Sequence, residues 1–291
     1  MSLTYALVDV FTTTRFQGNP LAIVRVPAQQ RDTLSQETKQ KIATEFNLSE
    51  TVFLHESASD SPTDLHIDIF TPKCEIPFAG HPTIGTACYV LQQQASATGT
   101  RSLQQLTTKA GAIPVTAADE LVGASIPFAY HQHQQAVQSA PVISIVNGLS
   151  FALHQLPDLE SLAAVTEALL PDCFTTAHLD AGWDSGPTGS KYYVDLGRDA
   201  SGGRTLRTRM FIGWEDPGTG SASSALAAYL ALQEPSEEGA GPFDYHIVQG
   251  VEMGRRNDIS VTVERDPAGE KIAKILLRGT AVQVGEGRLM L

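Results

Sequence analysis

The chain has 291 residues, which at about 150 residues per domain predicts two domains, each long enough to bury its own core. Twenty Lys and Arg against 32 Asp and Glu give a formal net charge of −12, a field that repels phosphate backbones and anionic lipid, so no nucleic acid or membrane partner is expected. Hydrophobic residues at 42% exclude an intrinsically disordered chain, and three cysteines, Cys74, Cys88 and Cys173, at no zinc or redox spacing exclude a disulfide scaffold.

Runs rich in Val, Ile, Phe and Thr between turn signals predict strands at Tyr5 to Phe11, Leu21 to Val26, Thr51 to Leu54, Leu65 to Phe70, Leu106 to Val115 and Leu121 to Ile126. Between them, Asp32 to Phe46 predicts a surface helix capped at Asp32 or Thr33, with Ile42, Ala43 and Phe46 at helical spacing. The Gln-rich stretch Ala129 to Pro141 reads as a linker and sets the domains at 1–128 and 129–291, the last strand being free to return to the first domain. The second half then predicts a strand at Ile143 to Leu153, a helix at Leu159 to Leu170 and an exposed loop at Gly182 to Gly189. Strands at Lys191 to Leu196 and Arg207 to Phe211, a long apolar helix and further strands complete it. Both halves mix strands and helices, so the fold class is α+β with mostly antiparallel pairing.

An internal repeat bears on function. His81-Pro82-Thr83-Ile84-Gly85-Thr86-Ala87 aligns with Asp216-Pro217-Gly218-Thr219-Gly220-Ser221-Ala222 at an offset of 135 residues. Apolar stripes follow each copy, Ile84, Ala87, Cys88 and Leu91 in one and Ala222, Ala225, Leu226 and Tyr229 in the other, and predict two buried helices. His81 and Asp216 fall at matching cap positions, and helix N-termini offer free N–H groups and partial positive charge to an anion. The expected ligand is a small organic acid.

The segments Gly18-Asn19-Pro20, Asn47-Leu48-Ser49-Glu50-Thr51, Phe70-Thr71-Pro72, Pro77-Phe78-Ala79-Gly80-His81-Pro82-Thr83 and Glu215-Asp216-Pro217-Gly218-Thr219-Gly220-Ser221, with Glu75, together resemble the PhzF-like family of phenazine-biosynthesis isomerases and their relatives. The resemblance runs over essentially the whole chain. It implies the diaminopimelate-epimerase-like fold: two similar domains, each a curled sheet around a central helix, with the active site in the interdomain cleft. It further implies a cofactor-independent isomerase that shifts a proton and a double bond in a small unsaturated or cyclic carboxylic acid. The family's reference substrate is trans-2,3-dihydro-3-hydroxyanthranilate, so a biosynthetic role is expected.

By the same resemblance Glu50 is the general acid–base, its carboxyl partly buried and its pKa raised towards the working pH. His81 and Asp216 correspond to the polar pair that binds substrate amino or hydroxyl groups. Gly80, Gly220 and Ser221 correspond to the positions that hold the carboxylate, with Ser49 and Asn19 as further binding candidates. Gly218 stands where the family more usually has Ala, a lost methyl expected to loosen the loop or enlarge the pocket. A homodimer is expected from the family.

Two other readings compete. One is a non-catalytic protein that binds small acids on the same scaffold. The other is a two-thiol racemase, disfavoured because neither predicted helix start carries a cysteine. No metal is expected, since His131 and His133 have no third ligand near them in the sequence, and no nucleotide cofactor, since no phosphate loop or dinucleotide fingerprint follows a strand. The N-terminal MSLTYALVDV lacks a basic leader and no run approaches the roughly 18 apolar residues of a membrane span, so a cytoplasmic setting is expected.

Overall fold

The computed structural model describes residues 2–59, 62–118, 121–166 and 174–291. The chain divides into two compact units, Met1–Ile126 with Arg278–Leu291, and Pro127–Leu277. The first contains β1 (Ser2–Val10), β2 (Asn19–Val26), α1 (Gln36–Phe46), β3 (Thr51–His55), β4 (Asp64–Phe70), β5 (Glu75–Ile76), α2 (Gly80–Thr98), β6 (Gln105–Thr108), β7 (Gly111–Ala118) and β8 (Leu121–Ser125). The second contains β9 (His131–Gln132), β10 (Val142–Val146), β11 (Leu149–Gln155), α3 (Leu159–Ala163), β12 (Thr188–Arg198), β13 (Arg204–Phe211), β14 (Glu215–Asp216), α4 (Gly220–Gln233), β15 (Phe243–Gln249), β16 (Asn257–Arg265) and most of β17 (Ile272–Gly279). The final strand, β18 (Ala281–Met290), pairs antiparallel with β1 in the first unit.

Each unit follows one pairing plan. In the first, β1–β2 is antiparallel, β2–β3 parallel, β3–β4 antiparallel, β4–β6 parallel and β6–β7 antiparallel. The second repeats this as β10–β11, β11–β12, β12–β13, β13–β15 and β15–β16. Parallel neighbours cannot be joined by a tight turn and need a crossover. Helices α1 and α2 serve the two parallel pairs of the first unit, and α3 and α4 those of the second.

Helix α2 lies against β1, β2, β3, β8 and β18, and α4 against β10, β11, β15 and β16. The composition of α4 explains its place: Ala222, Ala225, Leu226, Ala227, Ala228 and Ala231 are all fully buried, so small side chains let strands approach closely from several sides. A helix apolar all round belongs in a core. By contrast α1 is amphipathic and caps the outside of its sheet, Ile42 and Ala43 joining Leu3, Val24, Phe53 and Phe70 in one cluster.

Several sequence expectations are corrected. Leu106 to Val115 is a hairpin, β6 turning through Lys109-Ala110 into β7, and Ile143 to Leu153 is another, turning at Asn147-Gly148 with Gly148 at φ 88°. In both, apolar runs on either side of the turn read as one. Helix α1 starts later than expected, because Ser35, not Asp32 or Thr33, accepts the Thr38 N–H. The expected linker is structured, with β9 paired to β10 and a bridge between Val137 and Ala140. The loop expected to end at Gly189 gives way to β12 at Thr188. The helix expected from Leu159 to Leu170 is shorter, α3 ending at Ala163 with Ala164 as its C-cap, while Leu170 and Cys173 lie outside the described residues.

One buried ion pair fixes α1 to its sheet. Lys39 Nζ lies 2.6 Å from Asp68 Oδ2, with side chains 7% and 10% exposed, and His55 Nε2 approaches the same oxygen at 2.7 Å. Burial works to raise the Asp68 pKa, but the hydrogen bonds from His55 and Lys39 outweigh it and hold the carboxyl well below the usual range. Lys39→Met strands that carboxylate and is expected to lower stability by about 3 kcal/mol. In urea unfolding, Lys39→Met/Asp68→Asn should recover most of the loss; a double variant as unstable as Lys39→Met would show that the pair does not set the cost.

Candidate active site

Three loops of the first unit carry the expected site residues, each shaped by local chemistry. Gly18 sits at φ +68°, and a Cβ there would fall 2.2 Å from the Val10 carbonyl oxygen, so the turn into β2 requires glycine. Asn19 follows as the first residue of β2, buried and in register with Val10. At the end of α1, Asn47 adopts the left-handed conformation, φ 50°, and its N–H closes on the Ala43 carbonyl. That cap turns Leu48-Ser49-Glu50 away from the helix and into β3. Gly80 begins α2, whose N-cap, Ala79, supplies no side-chain cap.

His81, the second residue of α2, is 5% exposed, and its Nδ1 lies 3.3 Å from Glu50 Oε2. Ser49 Oγ, next to Glu50 in the chain, is buried with no hydrogen-bond partner among the described residues. Burial pushes the His81 imidazole down to about 3, with the Pro20 carbonyl working in the opposite direction. At neutral pH the ring is therefore uncharged. Its contact with Glu50 is one between a carboxyl group and a neutral imidazole, not an ion pair.

This has a consequence for acid stability. Between about pH 6.5, where an unfolded histidine titrates, and about pH 3, the unfolded chain binds a proton at His81 that the folded chain refuses. Stability from this site is complete above pH 6.5 and falls with pH, by at most about 1.4 kcal/mol per pH unit in that window. The pH dependence of unfolding free energy should accordingly be shallower in His81→Gln than in wild type between pH 6.5 and 4. Equal slopes would mean that His81 protonates freely in the folded state.

The second unit carries Asp216, Gly220 and Ser221. Here the repeat takes a different register. Helix α4 starts at Gly220 as α2 does at Gly80, an offset of 140 residues, which also pairs Glu75 with Glu215 and Pro77 with Pro217. His81 thus matches Ser221, and Asp216 matches Ile76. The expectation that His81 and Asp216 are equivalent helix caps is corrected: Asp216 ends β14, four residues before α4, and Thr219 is the N-cap, without a side-chain cap bond. The shared signal is Glu-x-Pro-x-x-Gly, whereas the 135-residue offset aligned Pro217 with Pro82, a proline inside α2.

Asp216 is 8% exposed and sits in a polar cluster. Its Oδ2 accepts the Thr219 hydroxyl. Gln249 Nε2 donates to the Asp216 carbonyl at 2.8 Å and to Thr219 Oγ1 at 3.0 Å. Lys191, fully buried, donates to Gln249 Oε1 at 2.8 Å and to Ser223 Oγ at 3.2 Å. Sequence reading missed Lys191 and Gln249, which sit among apolar residues of β12 and β15 with no motif around them. It also missed Asn257, whose Nδ2 donates to the Pro217 and Arg255 carbonyls at 2.6 and 2.8 Å. A Cβ at Gly218 would lie 2.1 Å from Asn257 Oδ1. The space of the missing methyl is thus filled, which corrects the expectation of a looser loop or larger pocket.

Cys88 is buried within α2, and burial pushes its thiol up to about 12, the reverse of what a proton-shuttling thiolate needs. The structure supplies His131 and His133 with the third group that their sequence neighbourhood lacked, Asp180. Both His133 nitrogens are nonetheless engaged: Nδ1 accepts the Asp180 N–H at 2.9 Å, and Nε2 lies 2.8 Å from Ser144 Oγ. A second group, His55, His66 and Asp68, shares its carboxylate with Lys39.

The family model for phenazine biosynthesis-like proteins matches residues 8–182 and 187–287. An uncharacterized isomerase of Mesorhizobium japonicum is 33% identical, over 99% of this chain and 98% of that protein. The trans-2,3-dihydro-3-hydroxyanthranilate isomerase of Pseudomonas aeruginosa is 31% identical over 99% of both chains. Among solved structures, a phenazine biosynthesis protein of the PhzF family from Bacillus anthracis aligns over 100% of both chains with TM-score 0.69 and 22% identity. A hydroxyproline epimerase from Agrobacterium vitis aligns over 99% of this chain and 92% of its own, with TM-score 0.62 and 16% identity. The fold is diaminopimelate-epimerase-like.

Proposed function

This chain belongs to the phenazine biosynthesis-like protein family, and we propose that it is an isomerase that moves a proton between carbons of a small unsaturated or cyclic hydroxy or amino carboxylic acid, with Glu50 as the general acid–base. The observation that carries this reading is the buried contact between Glu50 and His81. Of those two groups His81 is the less suited to carry the proton. Held down to about 3, the His81 imidazole is too weak a base to take the proton and carries no acidic imidazolium proton near neutrality, so His81 serves as a hydrogen-bonding partner and the carboxyl carries the proton.

The remaining roles follow the family pattern. His81 and Asp216 bind substrate amino or hydroxyl groups. Gly80, Gly220 and Ser221, at helix starts that no side chain caps, offer backbone N–H groups to a carboxylate, where the helix dipole favours negative charge. Ser49, next to Glu50 in the chain, and Asn19 are further binding groups. The test is incubation in D₂O with trans-2,3-dihydro-3-hydroxyanthranilate, the substrate in the Pseudomonas aeruginosa relative's name, and with a panel of unsaturated hydroxy acids, followed by NMR. Deuterium incorporation into one of them by the wild type is expected. Ligand-induced thermal protection without incorporation into any compound would replace this reading with that of a binding protein.

A further inference from the structure

Lys191 is the most deeply buried charge-bearing side chain among the described residues of the second unit, with no exposed surface, and the proton-transfer reading gives it no role. A lysine placed there needs compensation, since burying an ammonium without partners is far costlier than burying a hydroxyl or amide. Its partners form a directed series. The Lys191 ammonium donates to Gln249 Oε1, Gln249 Nε2 donates to Thr219 Oγ1, and the Thr219 hydroxyl donates to Asp216 Oδ2. Gln249 and Thr219 each accept on the Lys191 side and donate on the Asp216 side, so the dipoles point the same way and end on the carboxylate. Gln249 also holds the Asp216 backbone carbonyl, fixing main chain and side chain together.

We propose that Lys191 is the positioning residue for Asp216: through Gln249 and Thr219 it fixes the carboxylate's orientation and keeps Oδ2 a hydrogen-bond acceptor. The proposal rests on the reading of Asp216 as a substrate-binding group. It implies that the substrate presents a donor there, an amino or hydroxyl hydrogen, and not a second carboxylate. The charged group facing Lys191 is Asp216; Ser223 of α4 and Gln249 of β15 are neutral. Burial pushes the Lys191 ammonium down to about 7, and Asp216 works in the opposite direction. A lysine so placed should respond to its partner when the surface lysines do not.

The experiment has two arms. In the first, which needs no substrate, protein with ¹³C-labelled lysine is titrated by NMR, the Lys191 signal being assigned by its absence in Lys191→Met. A midpoint near 7 that falls by a unit or more in Asp216→Asn supports the coupling; a midpoint unmoved by Asp216→Asn overturns it. The second arm measures deuterium exchange on an accepted acid. Lys191→Met and Thr219→Val, which break the series at different links, should each lose about 10- to 100-fold in kcat/KM with a shifted pH profile. Lys191→Arg should regain part of that loss. Adding Asp216→Asn to Thr219→Val should cost little more than Asp216→Asn alone. Independent, multiplying losses, or a fully active Thr219→Val, would overturn the proposal even if Lys191→Met fails to fold. Absence of exchange with every acid would refute the isomerase reading alone, the lysine titration still deciding the coupling.

Discussion

Glu50→Gln is expected to reduce deuterium incorporation by about 1000-fold or more, within the range that a positioned acid–base group supplies. The substitution preserves shape and keeps a polar group 3.3 Å from His81 Nδ1, so it removes the proton acceptor with little change in packing. Thermal protection by the accepted acid should therefore survive, separating loss of chemistry from loss of binding. Glu50→Asp withdraws the carboxyl by one methylene and is expected to fall between the two, about 10- to 100-fold below wild type, since small misplacements of a reacting group are costly. A Gln variant that keeps more than a tenth of the wild-type exchange rate would transfer the proton-carrying role to another group. His81 is a poor candidate, because burial holds its imidazole down to about 3 and makes it a weak base.

The residues around Glu50 are legible in the sequence because their constraints are local. Asn47 ends α1 by its own left-handed backbone, Gly18 makes a turn no other residue fits, and both stand in short motifs. The strands were readable where one apolar run met a clear stop. They were not where Asn147-Gly148 or Lys109-Ala110 turned the chain inside a longer run, since a two-residue turn interrupts the hydrophobic pattern only briefly. The repeat was visible but in the wrong register, because a proline beside a polar residue is a weaker marker than the glycine that opens each helix. Lys191, Gln249 and Asn257 were illegible for another reason. Each is a single polar residue with no motif around it, and only the pairing of β12, β13, β15 and β16 brings them to the Asp216 loop.

Gly218 and Asn257 form one such long-range match, and the prediction from it is sharp. In Gly218→Ala the new methyl would lie 2.1 Å from Asn257 Oδ1 and 2.5 Å from its Cγ. Asn257 is fully buried, and its amide is held by the Pro217 and Arg255 carbonyls, so it cannot swing aside as an exposed side chain would. Overpacking a rigid site of this kind is expected to cost about 3 kcal/mol. Asn257→Ala, which leaves two carbonyls without their donor, is expected to cost about 2 kcal/mol. In Gly218→Ala/Asn257→Ala the methyl finds the vacated space, so the double variant should be no less stable than Asn257→Ala, and the two losses should not add. Urea unfolding of the four proteins measures this directly, and additive losses would show that the Asn257 side chain yields. Exchange activity should follow the same order, lowest in Gly218→Ala and partly restored in the double variant. The clash falls on the Asn257 side chain, which holds the carbonyl of Pro217, the residue next to Asp216, so displacing it moves the backbone carbonyl that Gln249 holds and the carboxylate that Thr219 holds. An alanine at position 218 is thus compatible with this chain only if residue 257 changes with it.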